Sequence, residues 1–538
     1  MSTWHNSDMA TCQRFLVVIG VAVALLIGGC SRPAEEVPHY GGLLTYNRNL
    51  PAHGLDPWYI SSLADREIAE QIYEGLLQPD TATFEPVPCL AEDWSIEDDG
   101  KTYVFHLRSG VRFQDDACFP NGVGREVTIE DVRFSFERSL RGPRFSWGAR
   151  ELVFLEGAEA FRRGETQHVS GIELIPPRTV VFHLKFPVYH FKYVFYSPAG
   201  YILPREAVEH YGELFSRNPV GTGPFRLALW KRHELLLTRN RNYWQTDSKG
   251  NPLPYLSGVR IASICPSLME WLGDLSGLHI YFEIAGVDLL DAFKLREIPS
   301  TVQLDSVWMV ESALVAVNFG KRGPLQESRD LRREFLSRLN VLKEFDAGVG
   351  HAPLHSLLPR YFWGNSRDGV ANHWVNQGSV ASAPIGTWVD VTILGPNFPV
   401  ETLVGRDIDN AFTNRSLGRF RYELITDPDR SDIWFVSLQW LYPDPEQLFR
   451  LFCSDVSPMG YKNAAYDSLF IEFVQEFQPE RRRELTRQLM ELLMDDAACR
   501  PVFQEVNYYG WRKSVRNVRQ SINPFSYHFW KYVWLQQN

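Results

Sequence analysis

Residues 101–113 read KTYVFHLRSGVRF. Tyr103, Phe105 and Leu107 fall on one face of an extended chain, because side chains two residues apart share a side of a strand. Gly110 offers a turn before Val111 and Phe113 resume the pattern. A second stretch, RTVVFHLKF at 178–186, places Val180, Phe182, Leu184 and Phe186 in the same way. Further strands are expected at 233–240, 258–264, 388–394 and 431–438. Helical spacing lies between them. Ile68, Ile72 and Leu76 line up in DREIAEQIYEGLL (65–77), and Thr128 is placed to cap TIEDVRFSFERSL (128–140). PERRRELTRQLMELLMDD (479–496) opens on Pro479 and sets Leu485, Leu489, Leu492 and Leu493 on one stripe. The run Arg481–Arg483 reads there as the solvated face. Strands and helices mix without a regular βαβ rhythm, so the fold class is α/β or α+β with mixed sheets.

The chain has 538 residues, which exceeds a single hydrophobic core and predicts two to four domains. Apolar residues are 44% and charged residues 22%, both globular values. Aromatic residues reach 13%, a load that fills cores or lines cavities with large rigid surfaces. A formal charge of −10 leaves no basic excess to neutralise phosphates, which argues against nucleic acid as a partner.

Near the N-terminus, FLVVIGVAVALLIGG (15–29) runs up to Cys30. It is shorter than the roughly 20 apolar residues of a membrane span and suits the core of a signal peptide over 1–29. Translation from Met9 would give a tidier signal, MATCQRFLVVIG. LLIGGC resembles a bacterial lipobox, in which the cysteine is cleaved free and lipidated, so Cys30 is the expected lipidation site. Residues 30–39 follow as a polar, proline-containing tether that holds a domain off a membrane. Cys89, Cys118, Cys265, Cys453 and Cys499 would remain, an odd number at wide spacings. No CxxC pair points to zinc, and in an oxidising compartment at least one thiol stays unpaired.

Catalytic signatures are sparse. The chain has no GxxxxGK[ST], HExxH or GxSxG. GTGPFR (221–226) lacks the third glycine of a dinucleotide loop, and DPDRSD (427–432) lacks the glycine and final glutamate of a calcium loop. The latter reads as a polar turn before a strand. Adjacent carboxylates at 98–99, 115–116 and 495–496 are typical of solvated turns. No enzyme activity, metal or cofactor is expected.

Nine blocks, in order, resemble family 5 extracellular solute-binding proteins, the peptide class of ABC-importer receptors. They are GGLLTYNRNLPAHGLDPWYI (41–60), IAEQIYEGLLQPD (68–80), CLAEDWSIEDDGKTYVFHLRSGVRFQDD (89–116), TIEDVRFSFERSL, GTGPFRLALWKRHELLLTRNRNYW (221–244), PYLSGVRI (254–261), WLYPDPEQLF (440–449), YKNAAYDSLF (461–470) and MDDAACRPVFQE (494–505). The resemblance covers about 40–300 and 430–538. It implies a periplasmic-binding-protein-like fold of class II, with three lobes and a ligand cleft between lobes I and III. Lobe I would combine 40–57, 172–285 and 503–538, lobe II would be 58–171 and lobe III 286–502. Two crossings between lobes I and III would act as a hinge.

In such proteins the ligand backbone pairs with protein segments as an added strand. By resemblance these segments hold Ser61, Ser62 and Leu63 on one side and Trp440, Leu441 and Tyr442 on the other. Peptide-binding members usually carry an acid where Leu441 stands, and it holds the ligand ammonium. A leucine cannot compensate a buried ammonium. Asp444 is near, as a candidate ligand residue or as a helix cap. The function implied is a monomeric, lipid-anchored binding protein in the periplasm or cell envelope. It would capture a peptide or other small solute for ABC permease subunits. The alternative is an envelope lipoprotein of the same fold with a receptor or structural role and no transport.

Overall fold

The computed structural model describes residues 37–47, 52–60, 62–143, 146–262, 268–272, 277–284, 298–338, 351–354, 356–362, 389–394, 416–417, 420–425 and 427–536. Cys30, Ser61, Cys265, the signal segment and most of the tether lie outside these residues. Tyr40–Asn538 forms one compact unit.

Two long antiparallel strands, Val302–Val317 and Cys499–Arg512, form the spine of the largest sheet. On one side of this pair lie Ile433–Leu438, Val389–Leu394 and Phe420–Ile425. On the other lie Ile280–Ile284, Leu43–Asn47, Gly258–Ala262, Glu234–Arg239 and Phe225–Lys231. Parallel and antiparallel pairs both occur, as in Leu43–Asn47 with Gly258–Ala262 and in Gly258–Ala262 with Glu234–Arg239. The expected strands at 233–240, 258–264, 388–394 and 431–438 are therefore all present within a residue or two.

The spine is not a perfect ladder. Trp308 faces Val506 and Ser312 faces Gln504, so Met309, Val310 and Glu311 stand opposite Glu505 alone. Such surplus residues form a bulge, which bends the strand and re-aims its side chains. The Val310 N–H leaves the ladder and donates to the carbonyl of Pro524 at 3.0 Å.

A separate antiparallel sheet runs in the order Ala91–Glu97, Thr102–Leu107, Thr179–His183, Ile172–Ile175. Its inward face holds Tyr103, Phe105 and Phe182, as the alternation predicts. Phe105 meets Phe195 at a ring separation of 4.4 Å, and Phe136 of helix Ile129–Leu140 meets Phe182 at 4.6 Å. Burying each such ring stabilises the fold by roughly 1.5–3 kcal/mol. Here the aromatic load fills a core. Two of the four strands come from each side of residue 171, so a lobe boundary there would cut a hydrogen-bonded sheet.

Helix Ile129–Leu140 starts where expected, with the Asp131 carboxylate accepting from both the N–H and the hydroxyl of Thr128 at 2.9 Å. Arg125 fastens Asp131 with two bonds of 2.7 Å. The helix expected over 65–77 is shorter and spans Leu63–Ala69. Beyond it the chain is drawn against 221–225, where the N–H groups of Gly223 and Phe225 donate to the carbonyls of Ile72 and Gln71. Gly221 permits that approach, since a Cβ there would sit 2.1 Å from the Ile72 carbonyl oxygen.

Helix Pro479–Asp495 buries Leu485, Leu489 and Leu493 as predicted. Arg481 and Arg483 are exposed, but Arg482 is fully buried, which corrects the reading of that run as a solvated face. Position 482 lies one turn before Leu485 on the same stripe. Cys89, Cys118, Cys453 and Cys499 are free thiols. Burial pushes the Cys453 thiol up to about 12. Among the described residues no helix is long and apolar enough to cross a membrane.

Candidate functional site

The segment WLYPDPEQLF leaves strand Ile433–Leu438 and enters helix Glu446–Arg450. Its aromatic residues are covered by other parts of the chain. The Trp440 indole N–H donates to Ser312 Oγ at 3.2 Å, and its ring lies 4.4 Å from that of Phe362. Tyr442 stacks in parallel on Tyr193 at 4.8 Å, and its hydroxyl donates to Glu446 Oε2 at 3.2 Å.

Asp444 is completely buried. Its Oδ1 accepts the Glu446 N–H at 2.9 Å, and its Oδ2 accepts from Arg482 Nη2 at 2.7 Å. Both carboxylate oxygens are thus engaged inside the fold, with Asp444 standing one residue before Pro445, the N-cap of helix Glu446–Arg450. Arg482 also donates to the carbonyls of Phe473 and Glu476 and lies over the rings of Tyr189 and Phe473.

A neighbouring network joins distant parts of the chain. Arg450 reaches Glu151 at 3.1 Å and His190 at 3.2 Å, and it also pairs with Glu446. Burial alone would raise the Glu151 carboxyl, but the Arg450 and His190 partners prevail and hold it below the usual carboxylate range.

Between 60–66 and 439–441 lies a small cavity of about 40 Å³. Four of the expected site residues line it: Ser62 and Leu63 on one wall, Trp440 and Leu441 on the other. Ser62 caps helix Leu63–Ala69, accepting the Asp65 N–H at 3.1 Å while its hydroxyl donates to Asp65 Oδ2 at 2.6 Å. The Leu441 N–H donates to Gln447 Oε1 at 3.4 Å, and its carbonyl accepts the Tyr527 hydroxyl at 3.0 Å. These backbone groups are met by side chains rather than by a strand. Tyr442 and Asp444 do not line the cavity.

The cavity also draws in two charged residues that motif reading passed over, Arg66 and Glu311. Arg66 is 4% exposed; Nη2 donates to the Phe525 carbonyl at 2.5 Å, whereas Nε and Nη1 have no hydrogen-bond partner among the described residues. Glu311 comes from the bulge in the spine and is 8% exposed, with Oε2 unpartnered among the described residues. Burial, reinforced by Glu505, pushes its carboxyl up to about 8. A signal was present: Glu311 is the one charged residue in the apolar run VWMVESALVAV (307–317).

Residues 85–268 match the family model for bacterial extracellular solute-binding proteins, family 5 Middle. The chain is 32% identical over 203 residues to the peptide transport periplasmic protein SapA of Salmonella typhimurium, covering 36% of this chain and 35% of that protein. It is 29% identical over 243 residues to the periplasmic oligopeptide-binding protein OppA of Escherichia coli, covering 43% of each. Over these matched parts the chain is similar to the family 5 solute-binding proteins.

These alignments span well under half the length of the curated relatives. The fold likeness is broader. The periplasmic binding protein DppA of Helicobacter pylori, solved with the peptide STSA, superposes with a TM-score of 0.70 over 93% of this chain and 99% of that one, at 20% identity. The chain therefore has the class II periplasmic-binding-protein-like fold, with mixed sheets as read from its strands.

Proposed function

We propose that this protein is the substrate-binding component of an ABC importer, which holds a peptide or peptide-like solute between two closing lobes and presents it to permease subunits. The observation that carries the reading is the meeting of Ser62 and Leu63 with Trp440 and Leu441 around one cavity, beside the bulged spine. The family-model match over residues 85–268 supports it, as do the curated relatives' roles in peptide binding and transport. Lobe III, attached through the spine, would close on lobe I. Lobe II is proposed to extend past residue 171 to keep its four-stranded sheet whole. No covalent chemistry is required. Ligand shifts the population towards the closed state by its higher affinity for that state. Lipidation at Cys30 would keep the protein at the cell envelope.

The test uses residues 31–538, freed of bound solute by unfolding and refolding. Thermal shift and small-angle scattering are then recorded with tripeptides, N-acetylated tripeptides and non-peptide solutes. A ligand at 100 times its Kd adds about 2.7 kcal/mol of stability, so a raised Tm with a smaller radius of gyration is expected for peptides or their analogues. No shift with any member would overturn the transport reading and favour the envelope lipoprotein without transport.

A further inference from the structure

Arg66 and Glu311 line the same cavity, each more than nine-tenths buried and each with polar atoms unpartnered among the described residues. No ion pair or hydrogen bond joins them there. Arg66 gives Nη2 to the Phe525 carbonyl and lies 4.8 Å from the Tyr527 ring, but burying the remaining polar atoms without hydrogen-bond partners is costly, and folds ordinarily pair or neutralise them. The bulge is what brings Glu311 here: a regular ladder would not leave three consecutive residues opposite Glu505. The facing wall at Leu441 supplies no charge.

We propose that Glu311 is the anchoring acid of the binding site, taking a ligand's primary ammonium while Arg66 donates to an oxygen acceptor beside it. This rests on the solute-binding reading and narrows its substrate class. The ligand would be a free-amine solute with a carbonyl or carboxylate close to the amine, the chemistry of a peptide's first residue or of a free amino acid. The charged groups around Glu311 are Glu505 on the paired strand and Arg66 and Glu67 on helix Leu63–Ala69. In the ligand-free protein its carboxyl is held protonated at neutral pH, as its shift to about 8 requires. An arriving ammonium favours the carboxylate, so one proton should leave as the ligand binds below pH 8.

The test is titration calorimetry on residues 31–538 at pH 6.5, in buffers of different ionisation enthalpy. Wild type is compared with Glu311→Gln, which keeps the shape and removes the charge. Probes are a random tripeptide pool, the same pool N-acetylated, and free amino acids; the third separates the two ligand sources. The expected result is a wild-type preference for free amines with release of close to one proton. In Glu311→Gln, free-amine affinity should fall by about 30-fold or more and proton release should vanish, while any affinity for N-acetylated probes stays within about threefold. A wild type that binds only blocked peptides would overturn this proposal and leave solute binding standing. An equal loss for free and blocked probes, or none for free amines, would also overturn it. Absence of binding by every probe would overturn both.

Discussion

Arg482 sits with its guanidinium between the rings of Tyr189 and Phe473 and its charge on Asp444. A paired charge in such a place is stable, but a lone one is not. Replacing Arg482 by Met should cost about 3–5 kcal/mol in urea denaturation, because Asp444 is left as an uncompensated buried carboxylate. The double change Arg482→Met with Asp444→Asn should recover much of that loss. At this scale the sequence was partly legible. Asp444 before a proline already reads as a cap, and the helical stripe through Leu485 would have placed Arg482 inside had the run of arginines not suggested a surface. Glu311 stood out only as a charge in an apolar run. Its importance depends on a bulge that pairing, rather than composition, creates.

Helix Ile129–Leu140 owes its start to Asp131, which is held in turn by Arg125, and Arg125 also grips Glu206. Asp131→Asn should lower stability by about 1.5–3 kcal/mol, the usual worth of hydrogen bonds to a charged group, and thermal denaturation would reveal it. This start was legible because Thr128 and Asp131 are three residues apart and followed by an apolar period. The end of helix Leu63–Ala69 was not. Ile72 and Leu76 keep helical spacing, yet the carbonyls of Gln71, Ile72 and Glu74 are claimed by backbone partners more than a hundred positions away, and a local pattern carries no record of such a competitor. The strands were better marked, since alternation reports one buried face wherever the pairing partner lies.

For the whole molecule, periodicity and composition gave a class of fold, and the ordered blocks gave a resemblance to a family. The lobe arrangement could be expected only through that likeness, because which strand neighbours which is decided by pairings such as Leu43–Asn47 with Gly258–Ala262, far apart in the chain. The lipid anchor belongs to this scale too. Cys30→Ser in the full chain should move the protein from the membrane fraction to the soluble fraction on cell fractionation, and continued sedimentation with membranes would remove the anchor from the proposal. The long antiparallel spine has a mechanical corollary. Two rails bonded along most of their length resist shear, since slipping one past the other by a single residue breaks every rung, yet they yield to torsion. Relative motion of the flanking strands should therefore be a rotation, with its axis passing near Val310 and Glu311, where the rungs are already missing.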